Sequence, residues 1–329
     1  MASNLAPFCS ITAMIDLAIE RILHTTPNKA DRSRPMAAII PQDDGEVNCY
    51  NLGNAGAPSA RVYFVNGIRV SGRDHAVTAG LLSLLIERPV WGVYNRTTGA
   101  VSGLVFDVAQ CMLDYTQNAT ARLTSHRNLD RPAVPDAEVP ELLKKVKRNS
   151  IVWNTATLRL FEELVLHRHT PQMIVAHSQG NLITSNALFI LEDMLGARGL
   201  SNIRVYSLAS PAPAWPLGLR RNHGGGGRQE NAFMNDLVAL LRPHNLAAKA
   251  GSSRFQNAGD FRTLPGASAV SLSPHDVQQN MALNFVQSIR SDLGLSPELP
   301  RNFLQECAAV AEKHFSSERS FWQWLDDLF

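Results

Sequence analysis

Ile174-Val175-Ala176-His177-Ser178-Gln179-Gly180-Asn181 is the stretch on which the reading of the fold turns. Met173–His177 is a short apolar run of strand length, and Asn181–Leu195 carries apolar residues at helical spacing. Between them stands small-x-Ser-x-Gly, the pattern of a nucleophile held on a sharp strand-to-helix turn. Such a serine projects its hydroxyl above the strand end. The residues two before and two after it must be small, because strand and helix backbones pass close together; Ala176 and Gly180 meet that requirement. The helix N-terminus adds N–H groups and partial positive charge, both suited to a developing oxyanion. The competing reading, a serine that only caps the helix, requires no small residues on either side.

Outward from this stretch the chain alternates strands and helices. Strands are expected at Arg61–Val65, Val90–Tyr94, Met173–His177, Ile203–Leu208, Asn231–Met234 and Ala267–Leu272. Helices are expected at Val77–Ile86, about 101–117, about 139–147, 151–168, Asn181–Leu195 and Val277–Leu293. Ala37–Pro41 and Glu46–Asn51 flank Asp43-Asp44-Gly45 and read as a hairpin. Pro132, Pro135 and Pro140 stand among charged residues in a loop at 124–140. Continuous apolar strands alternating with helices predict an α/β fold, a mostly parallel central sheet covered on both faces. The organisation expected is one domain over 1–329. Residues 1–55 would form an N-terminal helix and hairpin, 119–150 a lid or cap insertion, and 295–329 a helical C-terminal tail.

Composition narrows the function. The chain has 329 residues, 45% of them hydrophobic, which excludes wholesale disorder. Thirty-one Lys and Arg against 29 Asp and Glu leave a net charge of +2, too little field for nucleic acid. No run approaches 18 uninterrupted apolar residues, so no transmembrane helix is expected. Cys9, Cys49, Cys111 and Cys307 form no C-x-x-C pair and are expected reduced and buried. The first residues lack the basic start of a secretory signal, and the apolar spacing of Phe8, Ile11, Ile15, Ile19 and Ile22 reads as an amphipathic helix. The cytoplasm is the default location; the alternative is export without a signal peptide, as a bacterial effector.

His177-Ser178-Gln179-Gly180 resembles the α/β-hydrolase superfamily, especially its bacterial lipase and esterase branches, over roughly residues 60–290. Three further segments follow in the order that family would require. Val62-Tyr63-Phe64-Val65-Asn66-Gly67-Ile68 is similar to the strand and loop of the oxyanion hole, with Asn66 where His is usual. The resemblance implies the backbone N–H groups of Ile68 and Gln179 as oxyanion donors; a plain strand-ending Asn-Gly turn is the alternative. Ala209-Ser210-Pro211 resembles the Gly-Ser-Pro of the lipase-3-like branch. Phe233-Met234-Asn235-Asp236-Leu237-Val238 is similar to that branch's Asn-x-Asp-x-Val segment, which implies Asp236 as the triad acid. A helix-capping role for Asp236 is the alternative.

The base must then be a histidine after the acid. His244 follows Asp236 too closely to leave room for another strand, and His314 falls on an amphipathic helix. His275 lies between a strand-like and a helical stretch. The order Ser178, Asp236, His275 leaves gaps of 58 (236 − 178) and 39 (275 − 236) residues. His275 would take the Ser178 proton as the hydroxyl attacks a carbonyl, Asp236 would fix the imidazole, and an acyl-enzyme would form and be hydrolysed.

The implied activity is that of a serine carboxylic-ester hydrolase, lipase- or phospholipase-like, needing no metal or organic cofactor. Its partners would be a lipid or small ester and, transiently, a membrane surface. A thioesterase or amidase would use the same triad, and a non-catalytic binding module on the same fold is the rival of a different class. Other signals are weaker. His177 is expected to turn away from Ser178. His167-Arg168-His169 reads as a cationic helix end, Gly224–Gly227 as a surface loop, and Lys144, Lys145, Lys147 and Arg148 as a solvated basic face.

Overall fold

Arg61–Val65 (β2) forms a strand because β-branched and aromatic residues alternate between two buried faces. Val62 and Phe64 enter one apolar cluster, Tyr63 and Val65 the other. This computed structural model describes residues 40–52, 60–68, 70–97, 101–128, 132, 134–148, 154–222, 228–233, 260–264 and 283–298. The other strands are β1 (Val47–Tyr50), β3 (Val90–Val93), β4 (Gln172–His177), β5 (Ile203–Leu208), β6 (Arg228–Phe233) and β7 (Asp260–Leu264). They form one seven-stranded sheet in the order β1-β3-β2-β4-β5-β6-β7. Among the described strands only β1 runs antiparallel to its neighbour. The protein is therefore α/β with a mixed, mostly parallel sheet.

The helices are α1 (Gly72–Ile86), α2 (Val101–Asn128), α3 (Val139–Arg148), α4 (Thr155–Leu166), α5 (Gln179–Leu195), α6 (Leu217–Asn222) and α7 (Leu283–Asp292). Leu81, Leu82 and Leu85 of α1 and Val286 and Ile289 of α7 cover the sheet face that carries Val62, Phe64 and Val175. Leu160 and Leu164 of α4 and Ile183, Ala187 and Leu191 of α5 cover the face that carries Tyr63, Val65 and Ile174. Parallel strands buried on both faces account for their unbroken apolar runs. A capping box starts α1: the Ser71 hydroxyl accepts from Asp74 N at 3.1 Å, and the Asp74 carboxylate accepts from Ser71 N at 3.3 Å. Arg290, 2% exposed, locks α7 onto the end of α1 by donating to Leu85 O at 2.7 Å and to Glu87 Oε2 at 3.0 Å.

Several expectations are corrected. Val47–Tyr50, expected in a hairpin with 37–41, lies antiparallel on β3, with Gly45 N donating to Tyr94 O and Tyr94 N to Glu46 O; 37–39 lie outside the described residues. The helix expected to end near Gln117 continues to Asn128, well into the segment read as a proline-rich loop. Within it Gln110 donates to Asp114, and Asn118 donates to Ser185 and Asn186 of the neighbouring helix. Pro211–Leu219, a Pro-rich stretch, is packed: Ala214 N donates to Asn118 Oδ1 at 2.9 Å and the Ser185 hydroxyl to Ala214 O at 2.7 Å. Cys49 is exposed, because it sits on the outer pleat of the sheet's edge strand. Strand β7 was not expected. The strand expected at Ala267–Leu272, the N-terminal helix, the loop Gly224–Gly227 and the tail beyond 298 lie outside the described residues.

Within the core, His75 is wholly buried against the rings of Tyr50, Phe64 and Tyr94. Burial pushes its imidazole down to about 3. The unfolded chain then binds a proton near pH 6.5 that the folded chain refuses. Stability contributed by neutral His75 is complete above that pH and is lost as pH falls toward about 3. His75→Leu is expected to flatten the decline of unfolding free energy between pH 6.5 and 4 relative to wild type, measured by urea titration. Parallel pH curves for the two proteins would show that His75 is protonated in the fold.

Candidate active site

Strand β4 lies between β2 and β5 and runs parallel to both, so its C-terminal end opens at the middle of one sheet edge. In open parallel sheets that edge is where ligands bind. Ser178 stands there, between β4 and α5, with φ 53° and ψ −126°. A non-glycine residue at such angles holds about 1–3 kcal/mol of strain and persists only where its surroundings enforce it. They do. Ser178 N donates to Leu208 O at 3.1 Å, continuing the β5 ladder, while Asn181 N donates back to Ser178 O at 2.9 Å. The Asn181 amide donates to Leu208 O at 2.8 Å and accepts from the Ser207 hydroxyl at 2.6 Å, which pins the first turn of α5 to β5. The Ser178 hydroxyl does not cap the helix. The capping reading of this residue is thereby removed.

Two glycines allow the turn to close. A Cβ on Gly180 would lie 2.3 Å from Val65 O and 2.9 Å from Asn66 O. A Cβ on Gly67 would lie 2.6 Å from Ser178 Cβ and 3.1 Å from its Oγ. The loop after β2 therefore rests directly on the serine, and Ile68 is the next residue of that loop. Asn66 is not a simple turn residue. Its buried amide donates to Asn95 O and Gly67 O, each at 2.9 Å, and accepts from Asn95 N at 2.9 Å. Gln179, the first residue of α5, has no intrahelical acceptor for its N–H. Ser178, Gln179 and the Asn66-Gly67-Ile68 loop are thus brought together. Asp236 and His275 lie outside the described residues. In sequence, Asp236 follows the end of β6 by three positions (236 − 233), and His275 falls between β7 and α7. His177 is buried.

A cavity of about 520 Å³ is lined by Gln179, the residue after the serine, though not by Ser178 itself. The amides of Gln179, Asn95, Asn154 and Gln110 line it together with the charged Asp44, Arg96 and Asp107, and Phe106 and Leu113 of α2 are its large apolar side chains. Helix α2 is amphipathic in the inverted sense. Asp107, Asp114 and Asn118, spaced i, i+7 and i+11, are buried, whereas Phe106, Val108, Met112 and Leu113 are exposed. Asn118 donates to the Ser185 hydroxyl at 2.8 Å and to Asn186 Oδ1 at 3.1 Å, docking α2 on α5 through polar contacts. Sequence reasoning missed Asp114. Burial pushes its carboxyl up, against the lowering effect of amide donors from Gln110, Gln179 and Asn154. The polar stripe at helical spacing in 107–118 was the signal that marks it.

Among the described residues no cluster of three His, Cys, Asp or Glu side chains is arranged to hold a metal, and no helix is long and apolar enough to cross a membrane. Asp136 pairs with Arg168 and His169, and Lys144 and Lys147 pair with Glu141 and Glu162, as cationic surface groups do. No protein-family profile, no curated protein and no solved structure matches the chain.

The strained turn makes an unusual pair of outcomes. Gly180→Ala forces a methyl onto β2 and is expected to lower unfolding free energy by about 1–3 kcal/mol. Ser178→Gly relieves about 1–3 kcal/mol of strain and loses about 0.5–1 kcal/mol to unfolded-chain entropy. It should therefore be at least as stable as wild type in urea unfolding. A loss in Ser178→Gly equal to that in Gly180→Ala would contradict the strain assigned to this turn.

Proposed function

We propose that the chain is a serine carboxylic-ester hydrolase of the α/β-hydrolase fold, resembling the lipase-like branch, with Ser178 as nucleophile. The observation that carries the reading is Ser178 itself. It is held at φ 53° on a strand-to-helix turn at the open end of a parallel sheet, and its side chain is not spent on the helix cap. Strain of this kind is retained where a side chain must be presented, and the turn matches what a nucleophile elbow requires. The strand order, with one antiparallel strand at the edge and the serine strand central, is compatible with that fold.

In this reading the Ser178 hydroxyl attacks the ester carbonyl while His275 removes its proton. Asp236 orients His275, and the N–H groups of Ile68 and Gln179 receive the oxyanion. What supports this pair is sequence position alone: Asp236 comes three positions after β6 (236 − 233) and His275 eleven after β7 (275 − 264), and β6 and β7 pair in parallel. The alcohol leaves with the proton carried by His275. Water then attacks the acyl-enzyme, with His275 again as base. The exposed apolar side chains Phe106, Val108, Met112 and Leu113 of α2 support a lipid ester over a small polar one. The segment 119–150 is the lid or cap insertion of this reading.

The test is turnover of p-nitrophenyl esters of graded chain length beside intact phospholipids, with wild type and Ser178→Ala. Wild type is expected to hydrolyse the longer esters preferentially. Folded Ser178→Ala should fall to background, a loss of about 10³-fold or more. Unchanged turnover in folded Ser178→Ala would end the serine-hydrolase reading. No turnover of any ester, thioester or amide by wild type would favour a binding module on this fold.

A further inference from the structure

The amides beneath the serine form a closed ring with a fixed sense. Gln179 Nε2 donates to Asp114 Oδ2 at 2.7 Å. Asn95 Nδ2 donates to Gln179 Oε1 at 3.0 Å. Asn154 Nδ2 donates both to Asn95 Oδ1 at 3.3 Å and to Asp114 Oδ2 at 3.4 Å. Gln110 Nε2 completes the set from outside, donating to Asp114 Oδ1 at 2.9 Å.

Three amide donors converge on Asp114, and no Lys or Arg pairs with it among the described residues. An ionised carboxylate only accepts hydrogen bonds, so it dictates which end of each neighbouring amide faces it. Gln179 must present its NH₂ to Asp114 and its oxygen to Asn95. A Gln179 amide turned the other way would set oxygen against carboxylate and NH₂ against NH₂. The sense of the Asn154 amide is fixed as well, because its Oδ1 is committed to Ala156 N at 2.8 Å, and the backbone of Asn95 is anchored separately by its N–H donating to Asn66 Oδ1 at 2.9 Å. Asn66 in turn holds the Gly67 carbonyl. One buried carboxylate thereby ties α2, the start of α5 and the loop after β2 into one rigid body under Ser178.

We infer that Asp114 is a positioning residue. By holding the Gln179 side chain through this ring, it holds the peptide plane between Ser178 and Gln179, and so aims the Gln179 N–H at the reacting oxygen. The inference rests on the ester-hydrolase reading of Ser178. Its physical basis is that Gln179 follows a strained residue, whose ψ of −126° sets that same peptide plane. A preorganised donor contributes to rate only if it cannot swing away as charge develops.

The experiment is a double-mutant cycle on the full chain, with Asp114→Leu, Gln179→Ala, the double variant, and Asp114→Asn as the conservative control. Each is assayed for kcat and KM on one p-nitrophenyl ester and for inhibition by an alkylboronic acid, which forms a tetrahedral adduct on a serine. Circular dichroism and urea titration report folding. Asp114→Leu is expected to lower kcat by about 10–100-fold, less than the roughly 10²–10³ of a deleted oxyanion donor, with KM within about threefold. Boronate inhibition should weaken by a matching factor. Gln179→Ala should show a similar loss, and the double variant should lose little more than either single one. Asp114→Asn should keep most of the activity: its oxygen can serve Gln179 and Asn154, while half-buried Gln110 turns its amide to meet the new NH₂.

Losses that multiply in the double variant, or a fall in Asp114→Leu confined to KM or to folding stability, would overturn the inference. So would wild-type kcat in folded Asp114→Leu. If wild-type turnover survives Ser178→Ala, the parent reading fails first and this one with it. If turnover requires Ser178 but ignores Asp114, only this inference fails.

Discussion

The structure depends on one close approach: the first turn of α5 passing over the end of β2 at Gly180, where a single methyl group would lie 2.3 Å from Val65 O. That approach brings the loop after β2 onto Ser178 and leaves the serine no relaxed backbone conformation. Hydrogen bonds from Ser178 N and the Asn181 amide to Leu208 O of β5, and from Asn181 N to Ser178 O, prevent the turn from relaxing. The strain is local, and the apolar layers on both sheet faces are what sustain it.

A second constraint runs through α2. Its buried side is polar and its exposed side apolar, the reverse of an ordinary surface helix. Asp107, Asp114 and Asn118 face inward because polar partners await them: the amides of Gln179 and Asn154 for Asp114, and Ser185 and Asn186 for Asn118. Burying such a stripe costs little only when every member is satisfied, and a partly satisfied network would destabilise the helix. Two of the apolar residues displaced outward, Phe106 and Leu113, border the cavity that Gln179 lines. One helix thus supplies rigidity below the site and apolar surface above it.

Much of this was legible in the sequence, for physical reasons particular to each element. The central strands β2, β4 and β5 could be read because parallel strands buried on both faces have continuous apolar runs. The Ser178 turn could be read because it needs small residues at two fixed positions. Edge strands were harder. Val47–Tyr50 alternates weakly, and its partner, β3, is 43 residues away (90 − 47), so a nearer hairpin looked equally good. Strand β7, Asp260–Leu264, carries Asp and Arg and lacks the apolar run that marked the others. The Asp114 ring was not read at all. Its members come from four separate segments, and only the fold brings Asn95, Asp114, Asn154 and Gln179 together; the single local trace was the polar stripe on α2. Asn66 was read through its backbone alone, whereas its amide is what ties the loop to Asn95.

The central claim is that Ser178 is a nucleophile and not merely a strained turn residue. The most direct measurement is reaction of the full-length protein with a fluorophosphonate, followed by intact-mass analysis and mapping of the modified peptide. The account predicts one adduct per chain, carried on the Ser178 Oγ, forming in step with loss of ester hydrolysis and blocked by prior addition of a boronic acid. An unmodified Ser178 in folded protein that still hydrolyses esters, or a stoichiometric adduct on another serine, would contradict it.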